Sequence, residues 1–280
     1  MQARHDVLDL AADLRARGEA YALATVVRTV AATAAKAGAK AVIRADGSIP
    51  EGWIGGGCAR AAVVKAAREA IGDGRSRLVS VRPEDLLAEA GVAAGEERDG
   101  VRFARNLCPS QGTMDVFVEP VLPAPHLVVL GASPVAVALA ELAPRFGYRV
   151  TVCAAAADQP LFPAADARIE GFALPVAADG PRFVVVATQG RGDTAALKAA
   201  VAVEADHVAF VGSRRKMAAL AADLLADGVA AERLERVKGP AGLDLGAITP
   251  EEIALSILAE IVAVRRRGSR AAAAGTARAS

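Results

Sequence analysis

The chain has 280 residues, 53% hydrophobic but only 4% aromatic, with 33 basic side chains against 32 acidic ones. That length holds two domains with cores of their own, and the composition excludes disorder. A net charge of +1 leaves no footprint for nucleic acid or an anionic membrane surface, and no apolar run is long enough to span a bilayer. The first element is a helix over Val7–Arg17, with Val7, Leu8, Leu10, Ala11 and Leu14 on one face and Gly18 as its stop. Asp6 and Asp9 fall where a secretory signal would need its apolar core, so a cytoplasmic location is expected.

Residues 22–30 read as a strand and Lys40–Arg44 as another, with Ala45-Asp46-Gly47-Ser48 as the hairpin turn. A third strand leads through Trp53 into Gly55-Gly56-Gly57 and a helix over 58–71. Strands follow at 77–81 and 114–121, and the polar stretch between them, 82–105, shows no clear period. Three prolines in Pro120-Val121-Leu122-Pro123-Ala124-Pro125 mark a linker. These elements predict an N-terminal α/β domain over residues 1–122 with a small mixed sheet.

Beyond the linker the pattern becomes strand, glycine turn and helix, repeated. His126-Leu127-Val128-Val129-Leu130 is a continuous apolar run, as a strand buried on both faces requires. Strands recur at 149–153, 182–188 and 207–211 with helices between them. This alternation predicts a Rossmann-like, doubly wound parallel sheet over residues 123–267. The basic, alanine-rich remainder, 268–280, reads as a disordered tail.

Chemistry is concentrated in a few turns. Gly55, Gly56 and Gly57 deliver Cys58 to a helix N-terminus, whose free N–H groups and partial positive charge favour an anion such as a thiolate. The plain alternative is a tight turn with a cysteine packed as a small hydrophobe. Cys58, Cys108 and Cys153 include no CxxC pair, which argues against structural zinc and a disulfide framework. Cys108 lies in a loop and Cys153 in a buried strand, where it only packs.

In the second half, Gly131-Ala132-Ser133-Pro134-Val135-Ala136 has the position of a dinucleotide fingerprint, but Ser133 replaces its second glycine. The next strand ends Cys153-Ala154-Ala155, without the ribose-binding acid, and the first carboxylate is Asp158. NAD(P) or another nucleotide is therefore a weak match there, while an anion at Gly131 and Ser133 stands. Ser213, Arg214, Arg215 and Lys216 crowd cations onto another helix N-terminus, an arrangement that favours a bound anion. Arg191 is a further cation for that anion, and Asp193 reads as a helix cap. Asp244, in a glycine-rich loop, either orients a ligand or makes a local turn bond. Thr249-Pro250-Glu251-Glu252 is a capping box. No Ser-His-Asp, paired-carboxylate or HExxH pattern is present.

Taken in order, Thr25-Val26-Val27-Arg28-Thr29, Gly38-Ala39-Lys40, Gly52-Trp53-Ile54-Gly55-Gly56-Gly57-Cys58, Gly112-Thr113-Met114-Asp115-Val116-Phe117-Val118-Glu119-Pro120, Val211-Gly212-Ser213-Arg214-Arg215-Lys216 and Gly242-Leu243-Asp244-Leu245-Gly246 resemble the XdhC/CoxI family of molybdenum hydroxylase maturation factors. The resemblance continues through Thr249-Pro250-Glu251-Glu252-Ile253-Ala254 and covers most of the chain. It implies a cysteine-bearing N-terminal domain, a Rossmann-like domain, and a chaperone role rather than catalysis. The cargo it implies is molybdenum cofactor, bound transiently and delivered, after sulfuration, to an apo molybdenum hydroxylase of xanthine dehydrogenase or carbon monoxide dehydrogenase type. Gly-Trp-Ile-Gly-Gly-Gly-Cys and Cys108-Pro109-Ser110 resemble the carbon monoxide dehydrogenase branch.

Under this resemblance Cys58 and Cys108 carry the thiol chemistry, with Cys58 the metal ligand. Gly55, Gly56, Gly57, Arg60, Gly131, Ser133, Ser213, Arg214, Arg215, Lys216 and Asp244 hold the anionic parts. A cysteine desulfurase is an implied partner, and alanine-rich helix faces suit a homodimer. Arg60 stands where many members carry an acid, and Ala34, Ala35 and Ala37 where many carry Arg and Pro. Two rival readings are an NAD(P)-dependent oxidoreductase using the second domain and a non-catalytic interaction protein.

Overall fold

The computed structural model describes residues 6–31, 33–107, 111–174 and 180–277, with side chains through Arg266. The chain divides into two units, Ala124–Gly268 forming the second and the residues before it, with those from Ser269 on, the first.

In the first unit, α1 (Val7–Arg17) starts at a reciprocal cap between Asp6 and Asp9 and stops at Gly18 in the left-handed conformation. Next come β1 (Tyr21–Val30), β2 (Lys40–Arg44), β3 (Glu51–Gly52), α2 (Gly57–Asp73) and β4 (Arg77–Arg82). After α3 (Glu84–Glu89) the chain forms β5 (Glu97–Arg98), β6 (Val101–Arg105) and β7 (Thr113–Val121). The described strands make one sheet in the order β3-β2-β1-β7-β4-β6-β5. It is mixed, because β4 and β6 run parallel while the other pairs are antiparallel. Ala24 and Val26 of β1, Val79 and Val81 of β4 and Val116 and Val118 of β7 share one face by the two-residue period of strands. Val63, Ala66, Ala67 and Ala70 of α2 pack onto that face. The small alanines let the helix approach closely, and its N-terminus then lies over the ends of β4 and β7.

The third strand ends at Gly52, short of Trp53, and the polar stretch 82–105 resolves into α3, β5 and β6. Each is short, and β6 gains its place by pairing with β4, which sequence periodicity does not report.

The second unit contains β8 (His126–Leu130), α4 (Pro134–Leu142), β9 (Arg149–Ala154), β10 (Ala167–Glu170), β11 (Arg182–Val186) and α5 (Asp193–Ala202). It continues with β12 (His207–Phe210), α6 (Arg214–Ala226), α7 (Ala231–Glu235), β13 (Val237–Lys238) and the part of α8 (Pro250–Ala277) up to Gly268. The sheet order is β10-β9-β8-β11-β12-β13, and every pairing is parallel. Alternate residues of β8 face two different cores. Leu127 and Val129 meet Leu139 of α4 and Ile257 and Ile261 of α8, whereas Val128 and Leu130 meet Leu197 of α5 and Leu224 of α6. This is the doubly wound α/β arrangement, whose connections place every βα loop at the carboxyl end of the sheet. Helix α8 runs on to Ala277, past residue 268 where the tail is expected to lose structure. Alanine has the highest helix propensity, so an alanine-rich extension can prolong a helix already nucleated by packing.

Candidate functional site

Cys58 is the second residue of α2, whose N-cap is Gly56 in an extended conformation. The residue is partly buried and lines a cavity of about 300 Å³. The walls come from three directions: Gly55, Gly56, Gly57 and Ala59 from the turn, Val81 and Met114 from β4 and β7, and Asn106, Leu107 and Gly112 from the loop before β7. Thr33 and Ala34 complete them. A methyl group added at Gly56 or Gly57 would meet nothing within 4 Å, so both backbones open onto free space. Gly55 is closer packed, with the Met114 methyl 3.3 Å from such a carbon. The turn thus presents a sulfur, the unpaired amides of a helix start and soft apolar walls in one concavity.

Asn106 shapes the opposite wall. Its amide side chain donates to Gly112 O at 2.7 Å, and its backbone N–H donates to Arg82 O at 2.6 Å. The two ends of the loop are therefore tied to each other and to β4. Cys108 lies outside the described residues; its neighbours Leu107 and Gly112 line the cavity. Arg60 is exposed on the first turn of α2 and lies outside the cavity wall.

The predicted residues of the second unit do not converge on one spot. Ser133 and Ser213 are both N-caps, their Oγ atoms accepting from the N–H groups of Ala136 and Lys216 at 3.2 Å each. Gly131 allows a close approach of β8 to the end of β11. Arg214 borders a cleft of about 810 Å³ that also takes in Asp244 and the glycine-rich loop around it, while Arg215 is exposed. Lys216 is engaged internally: its ammonium lies 2.5 Å from Asp193 Oδ2 and 5.8 Å from the centre of the Phe210 ring. Asp193 is the first residue of α5 and Gly192 the cap. Arg191 faces Asp158 at 3.6 Å. Cys153 is fully buried in β9, and burial pushes its thiol up to about 11, so it packs rather than reacts.

Asp193, read from the sequence as a helix cap, is instead the partner of Lys216 and Thr188, and Glu260 escapes the sequence reading altogether. Burial raises the Asp193 carboxyl, but hydrogen bonds from Lys216, Thr188 and the Gly190 N–H outweigh it and hold the group below the usual aspartate range. Glu260, 3% exposed on α8, is likewise raised by burial and lowered further by Lys238, the Gly242 N–H and His207. The Gly242 amide donates to it at 2.9 Å and His207 Nε2 lies 3.2 Å away, with Lys238 in direct contact. Gly242 has φ +94°, and a methyl group there would overlap Ser256 Oγ. Glu260 therefore anchors the floor of the Asp244 loop. Its signal in the sequence is a charge set between Ile257 and Ile261 on an apolar helical face.

Topology and turn chemistry together define a two-unit α/β protein, with a cysteine-bearing glycine turn in one unit and a Rossmann-order sheet in the other. A family model described as the XdhC and CoxI family matches residues 14–82, and one described as the XdhC Rossmann domain matches residues 127–261. The chain belongs to the XdhC and CoxI family. An uncharacterised protein of Escherichia coli (strain K12), YqeB, is 32% identical over 232 residues, covering 80% of this chain and 40% of that protein. A protein of Bacillus subtilis (strain 168), named as a probable subunit of xanthine dehydrogenase, is 30% identical over 163 residues, 55% of this chain and 47% of that one. The chain thus spans less than half the length of these two curated relatives. A crystal structure of a xanthine dehydrogenase from Bacillus halodurans aligns over 94% of this chain and 96% of that chain, with a TM-score of 0.45 and 19% identity. Among the described residues, no helix is long and apolar enough to cross a membrane.

Proposed function

We propose that the chain is an accessory factor that carries molybdenum cofactor on the Cys58 turn and passes it to an apo molybdenum hydroxylase of the xanthine dehydrogenase or carbon monoxide dehydrogenase type. The observation that carries this reading is the pairing of a partly buried, cavity-lining cysteine with open glycine backbone at the start of α2. Among the described residues no group of three or more His, Cys, Asp or Glu gathers into a metal cage. Cys58 therefore suits a metal that arrives already held by the cofactor's own sulfurs, to which it adds one soft ligand. The cavity, about 300 Å³, has the size of a small ligand pocket and would take the metal-bearing end of such a cargo. Val81, Met114 and Leu107 give the sulfur an apolar surround, and the first amides of α2 would face the negative charge of such a cargo. A cysteine desulfurase is the corresponding source of sulfur. Membership of the XdhC and CoxI family and the xanthine dehydrogenase name of the Bacillus subtilis relative support the choice of target.

The test is anaerobic gel filtration of the full chain with molybdenum cofactor, wild type beside Cys58→Ala, with molybdenum and pterin measured in the protein peak. Retention by the wild type and a loss of tenfold or more in the variant is the expected result. Equal retention by both proteins would remove Cys58 from the site, and retention by neither would remove the carrier role.

A further inference from the structure

The sheet of the first unit has two faces, and α2 covers one of them. Val79, Val81, Met114 and Val116 belong to that covered face. Residues alternate along a strand, so Ser80, Arg82, Thr113 and Asp115 lie on the opposite one. β1 adds Arg28, which registers with Asp115. These residues gather towards the same ends of β4 and β7 as the Cys58 cavity, yet none of them lines it.

Their polar groups form a chain. Asp115, 9% exposed, accepts from Arg28 Nε on one oxygen and from Ser80 Oγ on the other, each at 2.6 Å. Ser80 Oγ in turn accepts from Arg82 Nε at 2.9 Å. Two guanidinium groups are thereby fixed through their Nε atoms, while their terminal amino groups make no hydrogen bond among the described residues. Positive charge is left over as well. Asp115 serves Arg28, and Glu84 pairs with Arg105 at 2.8 Å. Arg82 has only the Ser80 hydroxyl and the Phe103 ring, whose centre lies 4.9 Å from its guanidinium carbon.

A second observation is independent of the arginines. Thr113 is 5% exposed, and its Oγ1 has no hydrogen-bond partner. A buried hydroxyl left unpaired is costly, and native folds keep few of them. β7 runs between β1 and β4, so Thr113 stands between the strand of Arg28 and the strand of Arg82. Each guanidinium can give two parallel bonds to the oxygens of an anion, and the hydroxyl can give one more.

We propose that this face of the first unit holds a tetrahedral oxyanion of the phosphate class, bound by Arg28, Arg82 and the Thr113 hydroxyl. Asp115 and Ser80 position the two arginines for it. Phe117, two residues along β7 on the same face and 39% exposed, offers an aromatic surface to the organic part of a phosphate ester. The site lies across the sheet from the Cys58 turn, and its occupancy does not depend on the carrier reading.

Calorimetric titration of the full chain with inorganic phosphate and, separately, with phenyl phosphate tests it, each to about 1 mM, the upper end of usual substrate ranges. The proteins compared are wild type, Arg82→Gln and Thr113→Val. Saturable binding is expected, weakened tenfold or more by Arg82→Gln and several-fold by Thr113→Val. The valine variant should keep the urea midpoint of the free protein, because the hydroxyl it removes has no partner there. Tighter binding of phenyl phosphate would identify an ester as the source of the oxyanion, and equal or weaker binding the free ion; both support the site. No saturable binding of either probe, or binding that neither variant weakens, overturns it. Should Arg82→Gln misfold by circular dichroism, Thr113→Val carries the criterion alone.

Discussion

A methyl group added at Gly131 meets Ala187 O at 2.6 Å in a backbone conformation of φ +107°, whereas one added at Gly56 meets nothing within 4 Å. The two glycines therefore have different reasons to exist, one internal and one facing outward. Gly131→Ala is expected to destabilise by about 3 kcal/mol or more, from left-handed strain and backbone overlap together. Gly56→Ala should cost less than about 1 kcal/mol as an N-cap change, yet narrow the mouth of the Cys58 cavity and weaken cofactor retention. Urea midpoints and the gel-filtration assay separate these effects; equal destabilisation by both substitutions would contradict the assignment. Glycine runs are legible in sequence because their consequence is local. The fate of Lys216 is not, since its partner Asp193 opens a different helix and is brought near only by the parallel pairing of β11 with β12.

Elements are legible where one period dominates them. The apolar run of β8 predicts burial on both faces, and the structure has Leu127 and Val128 in separate cores. Helix α1 is marked by its own periodicity and by Gly18. Over 82–105 no such period exists, because β5 is two residues long and β6 is fixed by a partner rather than by its own pattern. The link between α8 and the Asp244 loop is of the second kind. Glu260 accepts the Gly242 N–H and contacts Lys238 and His207, so one helix side chain holds both the loop and the end of the sheet. Glu260→Gln removes the charge while keeping the shape, and we expect faster hydrogen exchange at the Gly242 amide and lower stability at neutral pH. Its folded carboxyl is held below the ordinary value, so its stabilisation is present above the unfolded pKa and is lost as pH falls through the folded one. The variant should accordingly lose stability less steeply than wild type below about pH 4.5. An unchanged acid slope would mean that Glu260 does not anchor the loop electrostatically.

For the molecule as a whole, the division into two α/β units follows from the change of pattern at the proline linker, since alternation of strand and helix is a sequence property. Strand order is a pairing property, and the mixed sheet of the first unit, with β7 between β1 and β4, has no local signature. Nor does the near balance of 33 basic and 32 acidic residues foretell how the fold responds to acid. That response depends on which groups are buried. His126 is 5% exposed at the start of β8, its Nε2 2.8 Å from Thr151 Oγ1. Burial first, then Arg149 and Arg182, bring its pKa down to about 4, with Asp166 opposing them. The unfolded chain takes up this proton near 6.5, before the folded protein does, so stability falls as pH drops from about 6.5 towards 4 and levels off below that. Acid sensitivity should therefore begin well above the carboxylate range in which Glu260 and Asp193 act. Urea midpoints between pH 7.5 and 4.5 are expected to decline for the wild type, and His126→Leu, whatever its cost at neutral pH, should flatten that decline. A variant retaining the full wild-type slope would show that another group titrates there, and that the buried imidazole of β8 is not what couples this fold to mild acid.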